Sequence, residues 1–300
     1  MNRYPDNWRL FALLLLSIMT IFVTGCSRST DRTSVNADSK NEISRIISAA
    51  PSNTEIIVAL GMGERLIAAD RYSRDIQGMP ADLPLIDFFY PDTEAIIGLE
   101  PDLILVNEIN SFGVADNPFK LLGDLGIRVV QVPTSSSIEG IYSDIIMIAD
   151  VLRVNERGEA LVNLMRNEIE SIAATRGEAT ERKRVYFEVS PEPTMVSFGQ
   201  GAYLNEMIEI AGGENIFAEQ KGWFSPAAEE IINRNPDIIF ALAYPGEDPV
   251  PQIRNRGAFE GITAVRENQI YPIDADSASR PSQNIMLALR EMIRVISPSL

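Results

Sequence analysis

Two stretches of the chain match each other without a gap: Glu94-Ala-Ile-Ile-Gly-Leu-Glu-Pro101-Asp102-Leu-Ile104 and Glu229-Glu-Ile-Ile-Asn-Arg-Asn-Pro236-Asp237-Ile-Ile239. The second follows the first at an offset of 135 residues, and Pro91 and Pro226 match at the same offset. Each stretch predicts a helix that ends at a Pro-Asp turn and leads into a buried strand. Because proline suits the first turn of a helix, we place both prolines there. The repeat indicates two related α/β units.

Short apolar runs alternate with helical periods on both sides of these stretches. Pro51 opens a helix that runs to Leu60, and Gly61 closes it as a C-cap. Strands that alternate with helices predict parallel sheets with helical crossovers. The strand candidates are residues 45–48, 66–69, 102–106, 127–132, 184–189 and 269–273.

Between Ile138 and Thr180 the pattern changes, because apolar residues recur at helical spacing with no strand between them. A break near Val154-Asn155 predicts two helices, and the second, from Glu156 to Ala179, would be roughly 35 Å long. We therefore predict an α/β fold with two related parallel-sheet lobes, bridged by one long helix, and a ligand cleft between the lobes. The predicted divisions are residues 1–25 (lipoprotein signal peptide), 26–42 (flexible tether), 43–155 (N-terminal lobe), 156–182 (bridging helix) and 183–300 (C-terminal lobe).

The first residues read as a secretion signal. Arg3 and Arg9 precede the apolar run Leu10 to Val23, which at about 14 residues is short for a membrane span. The run closes on Val23-Thr24-Gly25-Cys26, which resembles the bacterial lipobox. An ordinary signal peptide is the alternative. We expect the signal to be removed and Cys26 to carry lipid, which would anchor the chain outside the cytoplasmic membrane, on its periplasmic side or at the cell surface.

Composition excludes several classes of function. The formal net charge of −16 becomes −17 without the signal, so the chain repels nucleic acid and anionic headgroups. The chain has no histidine, which removes Ser-His-Asp and Cys-His catalysis and the commonest zinc ligand. Its one cysteine excludes an intrachain disulfide. We expect no catalytic residue, no resident cofactor and no metal site, although paired carboxylates remain an alternative among 42 acidic residues.

Aromatic and polar residues cluster in predicted loops next to strands. In α/β sheets ligands lie beyond the carboxyl ends of strands, so both lobes would present aromatics toward a shared cleft. Core packing is the alternative for any single aromatic. The residues concerned are Asp70-Arg71-Tyr72, Asp87-Phe88-Phe89-Tyr90, Phe198, Tyr203, Gly222-Trp223-Phe224-Ser225, Asp274-Ala275-Asp276 and Arg280.

Five stretches together resemble the substrate-binding proteins of ABC transporters of the helical-backbone type, the group that serves cobalamin, ferric siderophores and haem. The resemblance implies two α/β lobes bridged by one long helix, with no enzymatic activity. The stretches are Arg45-Ile-Ile-Ser-Ala-Ala-Pro-Ser-Asn-Thr-Glu55, Leu99-Glu-Pro-Asp-Leu-Ile104, Gly126-Ile-Arg-Val-Val130, Ala211-Gly-Gly-Glu-Asn-Ile-Phe217 and Asn235-Pro-Asp-Ile-Ile239.

The cobalamin-binding members are the most similar. The resemblance carries their pocket tyrosine onto Tyr72, their second-lobe tryptophan onto Trp223, and an acidic and arginine pair onto Asp276 and Arg280. The first-lobe tryptophan is replaced near Phe88 or Phe89, and the family's disulfide is absent. The resulting ligand-binding prediction comprises Tyr72, Phe88, Phe89, Phe198, Trp223, Asp276 and Arg280.

Glu94 and Glu229 occupy equivalent places in the repeat, each in the first turn of a predicted helix. Complementing the helix dipole is one interpretation of both side chains. The resemblance implies another, in which one surface glutamate per lobe docks onto arginines of the membrane permease. We favour docking, because the repeat places two equivalent anions on one face.

The sequence therefore predicts a lipid-anchored, monomeric receptor that captures cobalamin or a related corrinoid and delivers it to an ABC permease and its ATPase. A ferric-siderophore or haem receptor of the same transporter class is the alternative. An extracytoplasmic lipoprotein enzyme that uses carboxylates is a remote one.

Overall fold

The computed structural model describes residues 43–108, 118–175 and 182–298. The predicted signal peptide, lipidation at Cys26 and the tether lie outside these residues, as does the end of the predicted bridging helix at 176–181. Within the described ranges, no helix combines the length and apolarity needed to span a membrane.

The first lobe is a five-stranded sheet with the strand order β3-β2-β1-β4-β5, in which every neighbouring pair is parallel. Its three central strands, β2, β1 and β4, are mostly apolar and buried, as parallel sheets covered on both faces require. Gly61 follows the first helix at φ +70°, which confirms the predicted C-cap. The elements are β1 (Ile46–Ser48), α1 (Pro51–Ala59), β2 (Leu66–Asp70), β3 (Leu85–Ile86), α2 (Thr93–Gly98), β4 (Leu103–Asn107), α3 (Pro118–Asp124), β5 (Arg128–Val132) and α4 (Ile138–Val151).

The second lobe, which follows the long helix α5 (Asn155–Thr175), is a four-stranded parallel sheet with the order β11-β10-β6-β8. A small antiparallel pair, β7 with β9, lies beside it. The elements are β6 (Arg184–Glu188), β7 (Ser197–Phe198), α6 (Tyr203–Ile210), β8 (Glu214–Asn215), β9 (Trp223–Phe224), α7 (Ala228–Arg234), β10 (Ile238–Ala243), α8 (Pro249–Arg254), α9 (Thr263–Arg266), β11 (Ile270–Asp274), α10 (Ala275–Ser279) and α11 (Ile285–Ile296).

Helix α5 contacts both lobes. Near its start the Arg157 guanidinium donates to the carbonyl oxygen of Leu60 at the end of α1, with an Nη1–O distance of 2.9 Å. Farther along, Glu168 accepts from Arg290 of α11 at 2.7 Å. Met165 of α5 belongs to one apolar cluster that includes side chains of both sheets. The lobes therefore share one continuous apolar core.

The repeat has the same backbone conformation in both lobes. Glu100 and Asn235 follow the ends of α2 and α7 in the left-handed region, at φ 48° and φ 44°. Each precedes the proline of a Pro-Asp turn that leads into a buried strand. The placement of Pro91 and Pro226 in the first helical turn is wrong, because Asp92 and Ala227 are the N-caps and the prolines precede them.

Candidate ligand-binding cleft

A cavity of about 430 Å³ lies between the lobes at the carboxyl ends of the strands. Each of the five strands of the first sheet contributes lining residues from its end or from the loop that follows it, and β10 and β11 contribute from the second lobe. This is the edge where parallel α/β sheets bind ligands. The residues lining the cavity are Ala49, Ala50, Pro51, Ser52, Asp70, Tyr72, Phe89, Asn107, Pro133, Thr134, Tyr244, Asp276, Ser279, Arg280 and Pro281.

Three aromatic side chains face this cleft: Tyr72 and Phe89 from the first lobe and Tyr244 from the second. Their exposed fractions are 53%, 49% and 48%, so about half of each surface is open to solvent. Covering a large aromatic surface with a flat apolar face lowers the free energy. The arrangement is therefore suited to a large ligand with a planar face.

Tyr72 is held in place by its neighbours. Its hydroxyl accepts a hydrogen bond from Arg71, whose other terminal nitrogen pairs with Asp87 at 2.7 Å. Its backbone N–H donates to Asp70 at 2.8 Å, which fixes the short turn after β2. Burial raises the pKa of Asp70, and the hydrogen bond from Tyr72 opposes this effect. The ring thus has a defined orientation at the wall of the cleft.

Arg280 connects the two lobes at the floor of the cleft. It follows α10 in the second lobe and donates to Glu55 of α1 at 3.1 Å and to the carbonyl oxygen of Tyr72 at 2.9 Å. Asp276 pairs with the same guanidinium at 2.7 Å. Glu55 also accepts from the hydroxyl of Ser282. Burial raises the pKa of Glu55, against the lowering effects of Ser282 and Arg280.

The prediction that Phe88 and Phe198 lie at the cleft is wrong, because both are core residues. Phe88 is 1% exposed and packs on Phe119, with ring centroids 6.1 Å apart. Phe198 is fully buried and packs on Phe187 at 5.4 Å. Trp223 is half exposed, but it rests edge-on against Phe198 and does not line the cavity. The structure brings together Tyr72, Phe89, Asp276 and Arg280 from the predicted set.

Tyr244 was missed in the sequence. It directly follows β10, at the carboxyl end of a buried strand, so the rule that selected Tyr72 would have selected it too. Among the described residues, no group of three or more acidic or cysteine side chains is arranged to hold a metal ion.

Glu94 and Glu229 are exposed in the first turns of α2 and α7, as predicted. Other residues satisfy these helix ends. Asp92 accepts from the N–H of Ala95 at 3.0 Å, and Glu230 accepts from the N–H of Ala227 at 3.3 Å. Glu94 and Glu229 do not make these capping hydrogen bonds, and both lie in the first turn, where a carboxylate complements the helix dipole.

The chain is similar to several known proteins. The profile of a family described as periplasmic binding protein matches residues 46–277. The uncharacterized ABC transporter substrate-binding lipoprotein YvrC of Bacillus subtilis is 28% identical over 96% of each chain. The vitamin B12-binding protein of Vibrio parahaemolyticus is 26% identical over 83% of this chain and 88% of its own. A crystal structure of a possible iron-binding periplasmic solute-binding protein of Staphylococcus epidermidis has a TM-score of 0.76, at 30% identity over 85% of this chain and 99% of its own.

Proposed function

The chain belongs to the periplasmic binding protein family. We propose that its ligand is cobalamin or a related corrinoid, which it captures for an ABC importer. The family consists of extracytoplasmic binding proteins that work in transport, so the chain is not an enzyme. Its partners are accordingly a small-molecule ligand and the permease and ATPase of an ABC transporter.

The observation that carries the ligand proposal is the set of half-exposed aromatics in the cleft. Tyr72, Phe89 and Tyr244 offer ring faces from both lobes. A corrin is a large macrocycle with amide side chains, which can stack on such rings and exchange hydrogen bonds with Asp276 and the cleft backbone. The similarity to a vitamin B12-binding protein supports the same ligand class.

Titration of the purified soluble chain tests this proposal. Cyanocobalamin, a ferric hydroxamate siderophore and haem are added separately, and binding is followed by calorimetry and by quenching of tyrosine and tryptophan fluorescence. We expect cyanocobalamin to bind with a Kd at or below about 1 μM, which corresponds to roughly −8 kcal/mol. Binding of the siderophore or haem without binding of the corrinoid would reject the proposal in favour of the alternative ligand.

We also propose that Glu94 and Glu229 dock onto the permease and that Cys26 carries lipid. Two exposed anions at equivalent places in the two lobes can orient the receptor on a two-fold arrangement of cationic residues. The name of the Bacillus subtilis relative includes the word lipoprotein, which supports the anchor. Cys26→Ser should abolish the incorporation of a labelled fatty acid into the chain, and equal labelling of the wild type and the variant would reject the anchor.

A further inference from the structure

Arg280 is surrounded by more negative charge than it neutralises. Two cavities flank its guanidinium, the cleft on one side and a smaller cavity of about 360 Å³ on the other. Among the described residues that line these two cavities, Arg280 is the one basic side chain. Arg71 lies beside the cleft, with its guanidinium carbon 4.8 Å from the ring centroid of Tyr72, and it pairs with Asp87. The acidic side chains lining the two cavities are Glu55, Asp70, Asp75, Asp274 and Asp276.

Three contacts within the protein engage the guanidinium of Arg280. Glu55 and Asp276 pair with it, and the carbonyl oxygen of Tyr72 accepts from it. The Arg280 side chain is 15% exposed and that of Glu55 is 3% exposed, so their pair is largely withdrawn from water. An anion that took Arg280 from Glu55 would leave a buried carboxylate without its cation, which is strongly unfavourable. Arg280 therefore holds the lobes together, and displacing Glu55 from it is unfavourable for an incoming anion.

Burial and neighbouring charges together set the pKa of Asp276. Burial raises the pKa of Asp276, Arg280 lowers it, and the charges of Asp274 and Asp75 raise it further. A carboxylate or phosphate placed beside Asp276 would add to this repulsion. An amide N–H or a cationic group there would instead be attracted to Asp276.

We propose that the cleft selects by charge, accepting neutral or cationic chelates and discriminating against chelates whose contacting groups are anionic. The inference rests on the proposed function, because it names the class of ligand within that site. Carboxylate siderophores and haem, whose propionates are anionic, would be disfavoured. Amide-rich corrinoids and neutral or cationic hydroxamate chelates would be accepted.

A series of corrinoids that differ only in charge tests the inference. Cyanocobalamin, which carries no net charge, is compared by calorimetry with its three monocarboxylate isomers, in each of which one peripheral propionamide is replaced by a carboxylate. We expect at least one isomer to bind at least tenfold more weakly. Asp276→Asn should reduce the ratio between the Kd of that isomer and the Kd of cyanocobalamin. The control Glu267→Gln removes one charge at an exposed position that lines neither cavity, so it should leave this ratio unchanged. Less than a tenfold decrease for all three isomers would overturn charge selection while leaving corrinoid binding intact.

A second series keeps the two proposals distinguishable. Cationic ferrioxamine B and anionic ferric citrate are titrated in the same way. If no corrinoid binds, the proposed corrinoid function fails, but tighter binding of ferrioxamine B than of ferric citrate would still support charge selection. Tighter binding of ferric citrate would overturn charge selection, and failure of every chelate in both series would overturn both proposals.

Discussion

Asp102 and Asp237, at the same position of the repeat, hold the neighbouring strand of their lobes in the same way. The carboxylate of Asp102 accepts from the backbone N–H of Arg45 at 2.9 Å, and that of Asp237 accepts from the N–H of Arg184 at 2.8 Å. The backbone N–H of each aspartate donates back to the carbonyl oxygen of the same arginine. The Pro-Asp turn thus fixes the start of the adjacent strand in both sheets.

Replacing either aspartate by alanine should destabilise the fold. We expect Asp102→Ala to lower the free energy of unfolding by about 1 to 3 kcal/mol, because Asp102 also accepts from the N–H and hydroxyl of Ser44. For Asp237→Ala we expect about 1 kcal/mol. Urea unfolding measures both, with the exposed Asp124→Ala as the matched control. Equal stability of Asp102→Ala and Asp124→Ala would contradict the role of this hydrogen bonding.

The pH dependence of the Asp102 contribution has a defined sign. Burial acts to raise the pKa of Asp102, but the hydrogen bonds from Ser44 and Arg45 outweigh it, so the pKa is lowered. A lowered pKa stabilises the fold above the pKa of the unfolded chain, about 3.9, and this contribution is lost as the pH falls through the folded value. The stability difference between the wild type and Asp102→Asn should therefore shrink below about pH 4.

Replacing Phe88 or its neighbour Phe89 by alanine should have different effects on the free energy of unfolding and on ligand affinity. Phe88→Ala empties a core position and should cost about 3 to 5 kcal/mol of unfolding free energy. Phe89→Ala removes a half-exposed ring from the cleft, so it should change stability by less than about 1 kcal/mol but weaken ligand binding about tenfold or more. Thermal unfolding and calorimetric titration of the two variants check this. If Phe88→Ala folds stably and binds the ligand much more weakly, Phe88 contacts the ligand and the assignment to the core is contradicted.

These neighbours show where sequence reasoning ends. Apolar runs such as Leu103–Asn107 predict strands of a parallel sheet, because such strands are buried on both faces and need apolar side chains on each. Phe88 and Phe89 lie in a loop without a period, so no pattern indicates which ring enters the core. Phe198 flanks a glycine turn, yet it lies in a two-residue strand that packs against the sheet.

The ion pair at the cleft floor could not be predicted either. Glu55 and Arg280 are 225 residues apart, and only the packing of the lobes brings them together. The resemblance supplied Arg280 together with Asp276, which does pair with it, but not Glu55, its partner from the other lobe.

Asp144 should make stability depend on pH in the opposite sense to Asp102. This carboxyl of α4 is 4% exposed and accepts from the Ser135 hydroxyl at 2.5 Å. Burial raises its pKa to about 6, against the hydrogen bond from Ser135 and with a further increase from the charge of Glu108. A raised pKa means that the folded state keeps the proton longer, so stability falls as the pH rises from about 4 through 6.

Asp144→Asn keeps an acceptor for Ser135 and removes this titration. The variant should equal the wild type near pH 4 and exceed its free energy of unfolding above pH 6, by up to roughly 3 kcal/mol. Urea unfolding at pH 4, 5, 6 and 7.5 measures the difference. A constant difference across these values would show that Asp144 does not titrate in this range.

Reversing the charge of Glu94 and Glu229 should abolish stimulation of the transporter ATPase without changing ligand affinity. Glu94→Lys combined with Glu229→Lys places two cations where we propose that permease arginines approach, so repulsion should abolish the stimulation of ATP hydrolysis by the cognate transporter. Ligand affinity should stay within about twofold, because neither residue lines the cleft. The matched control is Glu64→Lys with Glu260→Lys, which makes the same change of net charge at exposed positions outside the repeat stretches. The measurements are ATPase activity in proteoliposomes and calorimetric titration of the free receptor. Equal loss of stimulation in the control would assign the effect to net charge, and loss of ligand affinity in the double variant would move Glu94 or Glu229 into the binding site.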